Sequence, residues 1–301
     1  MENIFISKVC GLCAGCKKAI ETAETKAKQG KVVLFKEIVH NKNANEKLFN
    51  LGIRTTDNLQ DVEYDECVIL CAHGEPPETY DYLTKHNIKF VDCTCPNVTK
   101  IHNLAREFSD KGFTVAIIGK YGKQNGKMHP EIAGTIGWCK KNILIEDVDD
   151  LNKLKTLKNE KIYLICQTTF NEKKADELIS KIEEICKENK LELIVNKSIC
   201  NAQKAINIAS VELAKNSDIM IVVGGKNSSN SVELFNNVKT YTNTIFIENI
   251  YDWQEKLKNN NLTFNKNTRF GITAGASTLK EDLIKLKQLI TEKEQILWKL
   301  M

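Results

Sequence analysis

Long hydrophobic runs are missing from this chain. The longest extend over about six or seven residues, as around Ile219–Val223, whereas a bilayer-crossing helix needs ~20. The start, MENIFISKVC, offers a short apolar stretch and no small-residue cleavage site, so it does not read as a secretory leader. The expectation is a cytoplasmic protein with no membrane partner. A dominant charge sign is also lacking. Lys and Arg number 43 against 39 Asp and Glu, for a net charge of +4, and the lysines are spread rather than massed. A nucleic-acid footprint wants a concentrated basic face, so that class is argued against, while an anionic small molecule suits the balance. There are only four prolines and no low-complexity linker in 301 residues, which predicts units packed tightly together. With 42% apolar and 27% charged residues, most of the chain can bury a core, and its length fits two domains, or one or three.

What the chain has in quantity is cysteine. Eleven thiols, an odd number in a chain expected in a reducing compartment, do not make a disulfide framework. Cys67, Cys71 and Cys166 lie in apolar runs, and Cys139 and Cys186 in helix-like segments, where a thiol behaves as a small hydrophobe. Cys10, Cys13, Cys16, Cys93, Cys95 and Cys200 sit in turn-like contexts and are the candidates for chemistry.

Eleven apolar, β-rich runs recur along the chain with helix-like stretches between them. They are Ile4–Ser7, Val32–Ile38, Cys67–Ala72, Lys89–Asp92, Thr114–Gly119, Asn142–Ile145, Ile162–Gln167, Leu191–Val195, Asp218–Gly224, Thr244–Glu248 and Arg269–Thr273. Several are nearly continuous Val, Ile and Leu, as strands covered on both faces of a parallel sheet should be. The stretch Asn171–Lys190 places Ala175, Leu178, Ile179, Ile182 and Ile185 on one helical side. Alternating strand and helix means α/β, and eleven strands favour several small, mainly parallel sheets over one large one.

Ligands of open α/β sheets bind beyond the carboxyl ends of strands, where loops enter helix N-termini. Those junctions carry Gly11-Leu12-Cys13-Ala14-Gly15-Cys16, Val39-His40-Asn41, Ala72-His73-Gly74, Asp92-Cys93-Thr94-Cys95-Pro96, His129-Pro130-Glu131, Gln167-Thr168-Thr169, Ser198-Ile199-Cys200, Asn227-Ser228-Ser229-Asn230 and Thr273-Ala274-Gly275-Ala276-Ser277. Three of the five histidines and the candidate thiols fall there, which predicts one composite site. Thiolates from separate turns suit an iron–sulfur cluster with an open iron, a zinc site or a redox dithiol, and spacing leaves the three open. Asn227 to Asn230 enter a helix expected over Val232–Tyr241 and can hold phosphate oxygens; the alternative is that Ser229 or Asn230 only caps it. Glu131, at a helix start, is either a proton donor or a complement to the helix dipole. His86 and His102 read as surface or structural.

Taken with Asn97-Val98-Thr99-Lys100 and Lys226 and Ser231, these motifs in this order resemble the LytB/IspH family of 4-hydroxy-3-methylbut-2-enyl diphosphate reductases. The resemblance implies three α/β units in a trefoil, pseudo-threefold arrangement around a central cavity. They would cover 14–96, 97–193 and 194–280 with 1–13, followed by a C-terminal helix over 281–301. It implies one 4Fe–4S cluster held by Cys13, Cys95 and Cys200 with one iron open, leaving Cys16 and Cys93 as bystanders. The substrate diphosphate would lie among His40, His73, His129, Ser228, Ser229, Asn230 and Ser277. Glu131 would supply protons and Thr168 would complete the relay and touch substrate. The implied reaction is reductive dehydroxylation to isopentenyl and dimethylallyl diphosphates, the last step of the methylerythritol phosphate pathway to isoprenoids, with electrons from a carrier such as ferredoxin or flavodoxin. A non-catalytic or divergent iron–sulfur paralogue on the same scaffold is the alternative, and a zinc or dithiol protein using Cys13 and Cys16 a third. The sequence departs from the family pattern at three places. Gln203, Lys204, Ala205, Ile206 and Asn207 follow Ala202 where the family has Thr-x-x-Arg-Gln. Lys18 stands for an Arg. The loop at about Lys123 to Lys127 is expanded by about five residues, with Met128 in place of a Gly.

Overall fold

The computed structural model describes residues 3–39, 42–122, 126, 128–226, 228–259, 265, 267–276 and 278–299, without the side chains of 42, 43, 229, 257–259 and 293–299. The chain runs β1 (Ile4–Ile6), α1 (Ala14–Ala27), β2 (Val32–Phe35), α2 (Lys42–Asn50), β3 (Arg54–Thr56), β4 (Cys67–Leu70), α3 (Pro77–Lys85), β5 (Phe90–Asp92) and α4 (Pro96–Asp110). It continues β6 (Thr114–Ile118), α5 (Pro130–Gly137), β7 (Asn142–Ile145), α6 (Asn152–Lys155), β8 (Lys161–Cys166), α7 (Glu172–Glu188), β9 (Glu192–Asn196) and α8 (Asn201–Ala214). It ends β10 (Ile219–Val223), α9 (Ser229–Val238), β11 (Asn243–Ile247), α10 (Ile250–Asn259), β12 (Phe270–Ala274) and α11 (Lys280–Lys299). No helix among the described residues is long and apolar enough to cross a membrane.

The strands form three four-stranded sheets, ordered β1-β12-β10-β11, β3-β2-β4-β5 and β7-β6-β8-β9, and every pairing is parallel. The α/β class with several small parallel sheets is therefore what the chain adopts. By compactness it divides into two units, one of Met1–Lys17, Val39–Leu51 and Asn201–Met301, the other of Lys18–Ile38 and Gly52–Cys200.

In the first unit, the period-2 alternation of strands splits the core. Ile219, Ile221 and Val223 face Trp253, Leu283, Leu286 and Ile290, while Met220 and Val222 face Ile206, Leu234 and Val238. The second unit repeats the device. Ile118, Leu164 and Cys166 pack under Leu178 and Ile182 of α7, while Ile117 and Ile165 pack against Ile101 and Ala105 of α4. Asn171 caps α7 by accepting from the Lys174 N–H at 2.8 Å. Burying both faces of a strand explains the continuous apolar runs, and it places all loop polarity at the strand ends.

The sequence reading misses one strand. Arg54-Thr55-Thr56 is polar because β3 is an edge strand, covered on one side only, so no apolar run marks it. Two boundaries also move. The helix expected over Val232–Tyr241 is Ser229–Val238, because Ser228 is the cap and not Ser229 or Asn230. Cys139 lies just past Trp138, which ends α5, where burial pushes its thiol up to about 12 and keeps it inert.

Candidate functional site

In the second unit, loops leaving β4, β5, β6 and β8 carry the candidate residues. His73-Gly74 follows β4, and Gly74 adopts φ +75°; a Cβ there would stand 2.6 Å from the His102 ring, so glycine is required twice over. His102 is buried, stacked on Trp138 with centroids 5.7 Å apart, and held down to about 4 by desolvation, so it is a neutral structural ring. His86 ends α3 with its ring against Tyr82, which is equally structural.

Cys93 and Cys95 sit two residues apart with different fates. Cys93 is 1% exposed, and burial raises its pKa, as expected of a core thiol. Cys95 is half-buried and occupies the N-cap position of α4, so its sulfur lies at a helix N-terminus where negative charge is favoured. Its N–H donates to Ala72 O at 3.0 Å, which fixes the turn to the end of β4. On the first turn of the same helix, the Asn97 amide donates to Cys200 Sγ at 3.4 Å. Cys200 N in turn donates to Thr168 O at 2.8 Å. The Cys95 turn, the Cys200 turn and the Thr168 loop therefore adjoin.

Glu131 lies in the first turn of α5 and is 2% exposed. Thr168 donates to its carboxylate twice, from N to Oε1 and from Oγ1 to Oε2, both at 2.6 Å. Desolvation raises the carboxyl to about 7 in spite of those two hydrogen bonds, which favour the charged form. His129 caps the helix, its Nδ1 accepting from Glu131 N at 3.2 Å, and its ring meets His73 edge-on at 5.5 Å. The structure thus brings together Glu131, Thr168, His129 and His73.

In the first unit, Gly11 at φ +80° turns the chain after β1, and Cys13 N donates to Ala276 O at 3.2 Å. Cys13 immediately precedes α1. A hydrogen bond from Cys16 is the largest cause of a pKa held well below that of an ordinary thiol, with backbone N–H groups of Gly15 and Cys16 adding to it. Cys16 is thus a partner of Cys13 in this turn. Ser228 is buried and its Oγ accepts from Ser231 N, capping α9. Ser231 is fully buried. Cβ atoms on Gly224 and Gly275 would stand 2.2 and 2.3 Å from its Oγ, so both strand ends close on this serine. Gln203 Nε2 donates to Asn230 O at 3.4 Å. Gln203 Oε1, Asn230 Oδ1 and Ser231 Oγ are buried polar atoms with no hydrogen-bond partner among the described residues. A cradle of unsatisfied polar atoms at a helix N-terminus suits a polar, anionic ligand.

His40, Asn227 and Ser277, the side chain of Ser229 and most of the loop at 123–127 lie outside the described residues. The sequence reading gives no role to Asn97 or Gln203. Asn97 stood inside the Cys95-Pro96-Asn97 motif, whereas Gln203 carried no signal beyond being a departure. Among the described residues, no three or more His, Cys, Asp or Glu side chains are grouped so as to hold a metal ion. Fit to a sulfur-ligated group therefore rests on the donors themselves. A thiol favoured as thiolate, a second at a helix N-terminus and a third accepting an amide N–H are each suited to iron ligation.

Residues 4–290 match the family model described as LytB protein. The chain is 34% identical over 280 residues to the 4-hydroxy-3-methylbut-2-enyl diphosphate reductase of Clostridioides difficile, covering 92% of this chain and 94% of that one. It is 34% identical over 299 residues to the enzyme of the same name from Aquifex aeolicus, covering 97% of each. Among solved structures, it is similar to an (E)-4-hydroxy-3-methyl-but-2-enyl diphosphate reductase at TM-score 0.73 and 32% identity, over 97% of this chain and all of that one. A reductase from Plasmodium falciparum gives TM-score 0.80 at 26% identity, over 96% of this chain and 87% of that one. The chain belongs to the LytB family.

Proposed function

We propose that this protein is a 4-hydroxy-3-methylbut-2-enyl diphosphate reductase that removes the allylic hydroxyl of its substrate as water. Two electrons and two protons enter, one C–O bond breaks, and isopentenyl and dimethylallyl diphosphates form as the last step of the methylerythritol phosphate pathway. Membership of the LytB family implies an iron–sulfur cofactor. Cys13, Cys95 and Cys200 are the residues assigned to hold it, as one 4Fe–4S cluster with one iron open. Such a group, when bound, supplies single electrons and a Lewis-acid site for the leaving oxygen.

The rest of the work falls to side chains. His73, His129, Ser228 and Asn230, with His40, Ser229 and Ser277, are assigned to the diphosphate, whose anchoring turns a bimolecular encounter into a positioned one. Glu131 keeps its proton near neutral pH and delivers it to the leaving oxygen, because hydroxide is a poor leaving group. Thr168 orients the carboxyl and passes a hydrogen bond to the substrate. Electrons come from a soluble carrier of the ferredoxin or flavodoxin type, in the cytoplasm. The three α/β units are assigned to 14–96, 97–193 and 194–280 with 1–13, and the trefoil belongs to this reading.

The observation that carries the proposal is the buried Glu131 carboxyl gripped by Thr168 beside His129. The test is anaerobic purification, iron and acid-labile sulfide per chain, and turnover of the diphosphate with a chemical reductant. About four of each with turnover supports the proposal. A fully loaded protein that neither binds nor reduces the substrate would refute it.

A further inference from the structure

Glu75 places a carboxylate two residues beyond His73, the residue assigned to the diphosphate. It is 2% exposed, and its Oε2 accepts from Lys36 Nζ at 2.6 Å. Lys36 adopts φ +67°, a backbone state that costs a residue with a Cβ and persists where the surroundings fix it. They do fix it: Lys36 N donates to Thr56 O at 2.9 Å, and the Cys71 thiol donates to Lys36 O at 3.1 Å.

The main chain around Glu75 is held as firmly. Its carbonyl accepts from Trp138 Nε1 at 3.0 Å, just past the end of α5. A Cβ on Gly134 would stand 2.6 Å from Gly74 O, and one on Gly137 would stand 2.3 Å from Pro76 Cβ. The helix that carries Glu131 in its first turn therefore rests directly on the backbone of 74–76. Burial raises the Glu75 carboxyl, the Lys36 hydrogen bond and charge lower it, and Asp92 raises it again. Cys71 and Tyr80 are the other titratable groups that feel its charge. Losing one partner of such a pair leaves an uncompensated buried charge.

We propose that the Lys36–Glu75 ion pair is a positioning device of the diphosphate site. Lys36 neutralises Glu75 and pins the 73–75 backbone, so His73 can meet an anionic substrate with no bare negative charge beside it. The proposal rests on the assignment of His73 to the diphosphate.

The experiment measures substrate Kd by calorimetry, and KM and kcat with a chemical reductant, on the iron-loaded protein. The proteins compared are the parent, Lys36→Met, Glu75→Gln and the double variant. Lys36→Met should raise Kd and KM at least about tenfold, with kcat changed far less. Glu75→Gln should tighten binding about threefold, because Lys36 then acts on the substrate uncompensated, and the double variant should return to within about threefold of the parent. A Lys36→Met protein with parental Kd, or a double variant as weak as Lys36→Met, overturns the proposal. If Lys36→Met does not fold, Glu75→Gln binding no more tightly than the double variant overturns it instead. A loaded parent protein with no affinity for the diphosphate refutes the reading of His73 and not the pair.

Discussion

Thr168 grips Glu131 by both carboxylate oxygens, its N–H on Oε1 and its hydroxyl on Oε2, each at 2.6 Å, and the carboxyl still rests near pKa 7. Two short hydrogen bonds to the charged form would ordinarily pull a carboxyl down. Complete burial wins, which leaves a group able to give up a proton at neutral pH. Because both bonds come from one residue, the carboxyl's orientation and acidity are set together.

The pH dependence follows with a definite sign. In the proposed mechanism the protonated form is the acid, so kcat/KM should fall as pH rises through about 7. Glu131→Gln should lose most turnover, keep iron content and substrate Kd, and lose that alkaline limb. Stability carries the same sign: the native state holds this proton more tightly than the unfolded chain, whose carboxyl titrates near 4.5. About 3 kcal/mol is therefore lost as pH rises from 4.5 to 7 and nothing further is lost above. A pH–rate profile with calorimetric melts checks both, and undiminished turnover in Glu131→Gln would place the acid elsewhere.

Single replacements Cys13→Ser, Cys95→Ser and Cys200→Ser should each strip or cripple iron binding. Cys93→Ser should cost stability alone, since Cys93 is a buried core thiol with a raised pKa. Iron and sulfide analysis separates these cases. Cys16→Ser should retain iron, because a serine hydroxyl can still donate to Cys13. Loss of iron in Cys16→Ser would instead favour a site built on the Cys13–Cys16 pair.

Ser228→Ala with Asn230→Ala should weaken diphosphate affinity by tenfold or more while leaving iron content intact. Losing the Ser228 cap on α9 should cost about 1 kcal/mol in the same protein. Calorimetric titration beside a thermal melt distinguishes the effects. A stability loss without any change in affinity would make the loop a cap and nothing else.

Gly224→Ala should destabilise the first unit by about 1–3 kcal/mol, since the new Cβ would stand 2.2 Å from Ser231 Oγ. Ser231→Gly should restore part of that loss when combined with it, because the clash is with the serine side chain. Denaturant melts of the two singles and the double give the coupling directly, and strictly additive losses would mean that the clash is absorbed elsewhere.

The α/β class, the small parallel sheets and nine of the strand-end loops were legible because burying both faces of a strand writes a continuous apolar run into the chain. Strand β3 was not, since an edge strand tolerates polar residues, and neither was the choice of Ser228 over its neighbours as cap, which depends on a backbone angle. The motif order marked Glu131, Thr168, His73 and His129, all of which the second unit gathers in one place. It gave nothing on Asn97 or Gln203, whose hydrogen bonds reach 103 and 27 residues along the chain.

The sequence by itself determined the residue types at each strand end, and hence the chemistry available there, because residue type needs no neighbour to be read. Only the tertiary structure decided which of two thiols two residues apart is buried and which stands at the N-terminus of a helix. The same is true of Lys36, which it set against Glu75, and of Glu131, whose carboxyl it took out of water. Burial and long-range pairing are properties of the folded chain, and they set acidity and charge balance with energies that no local pattern encodes.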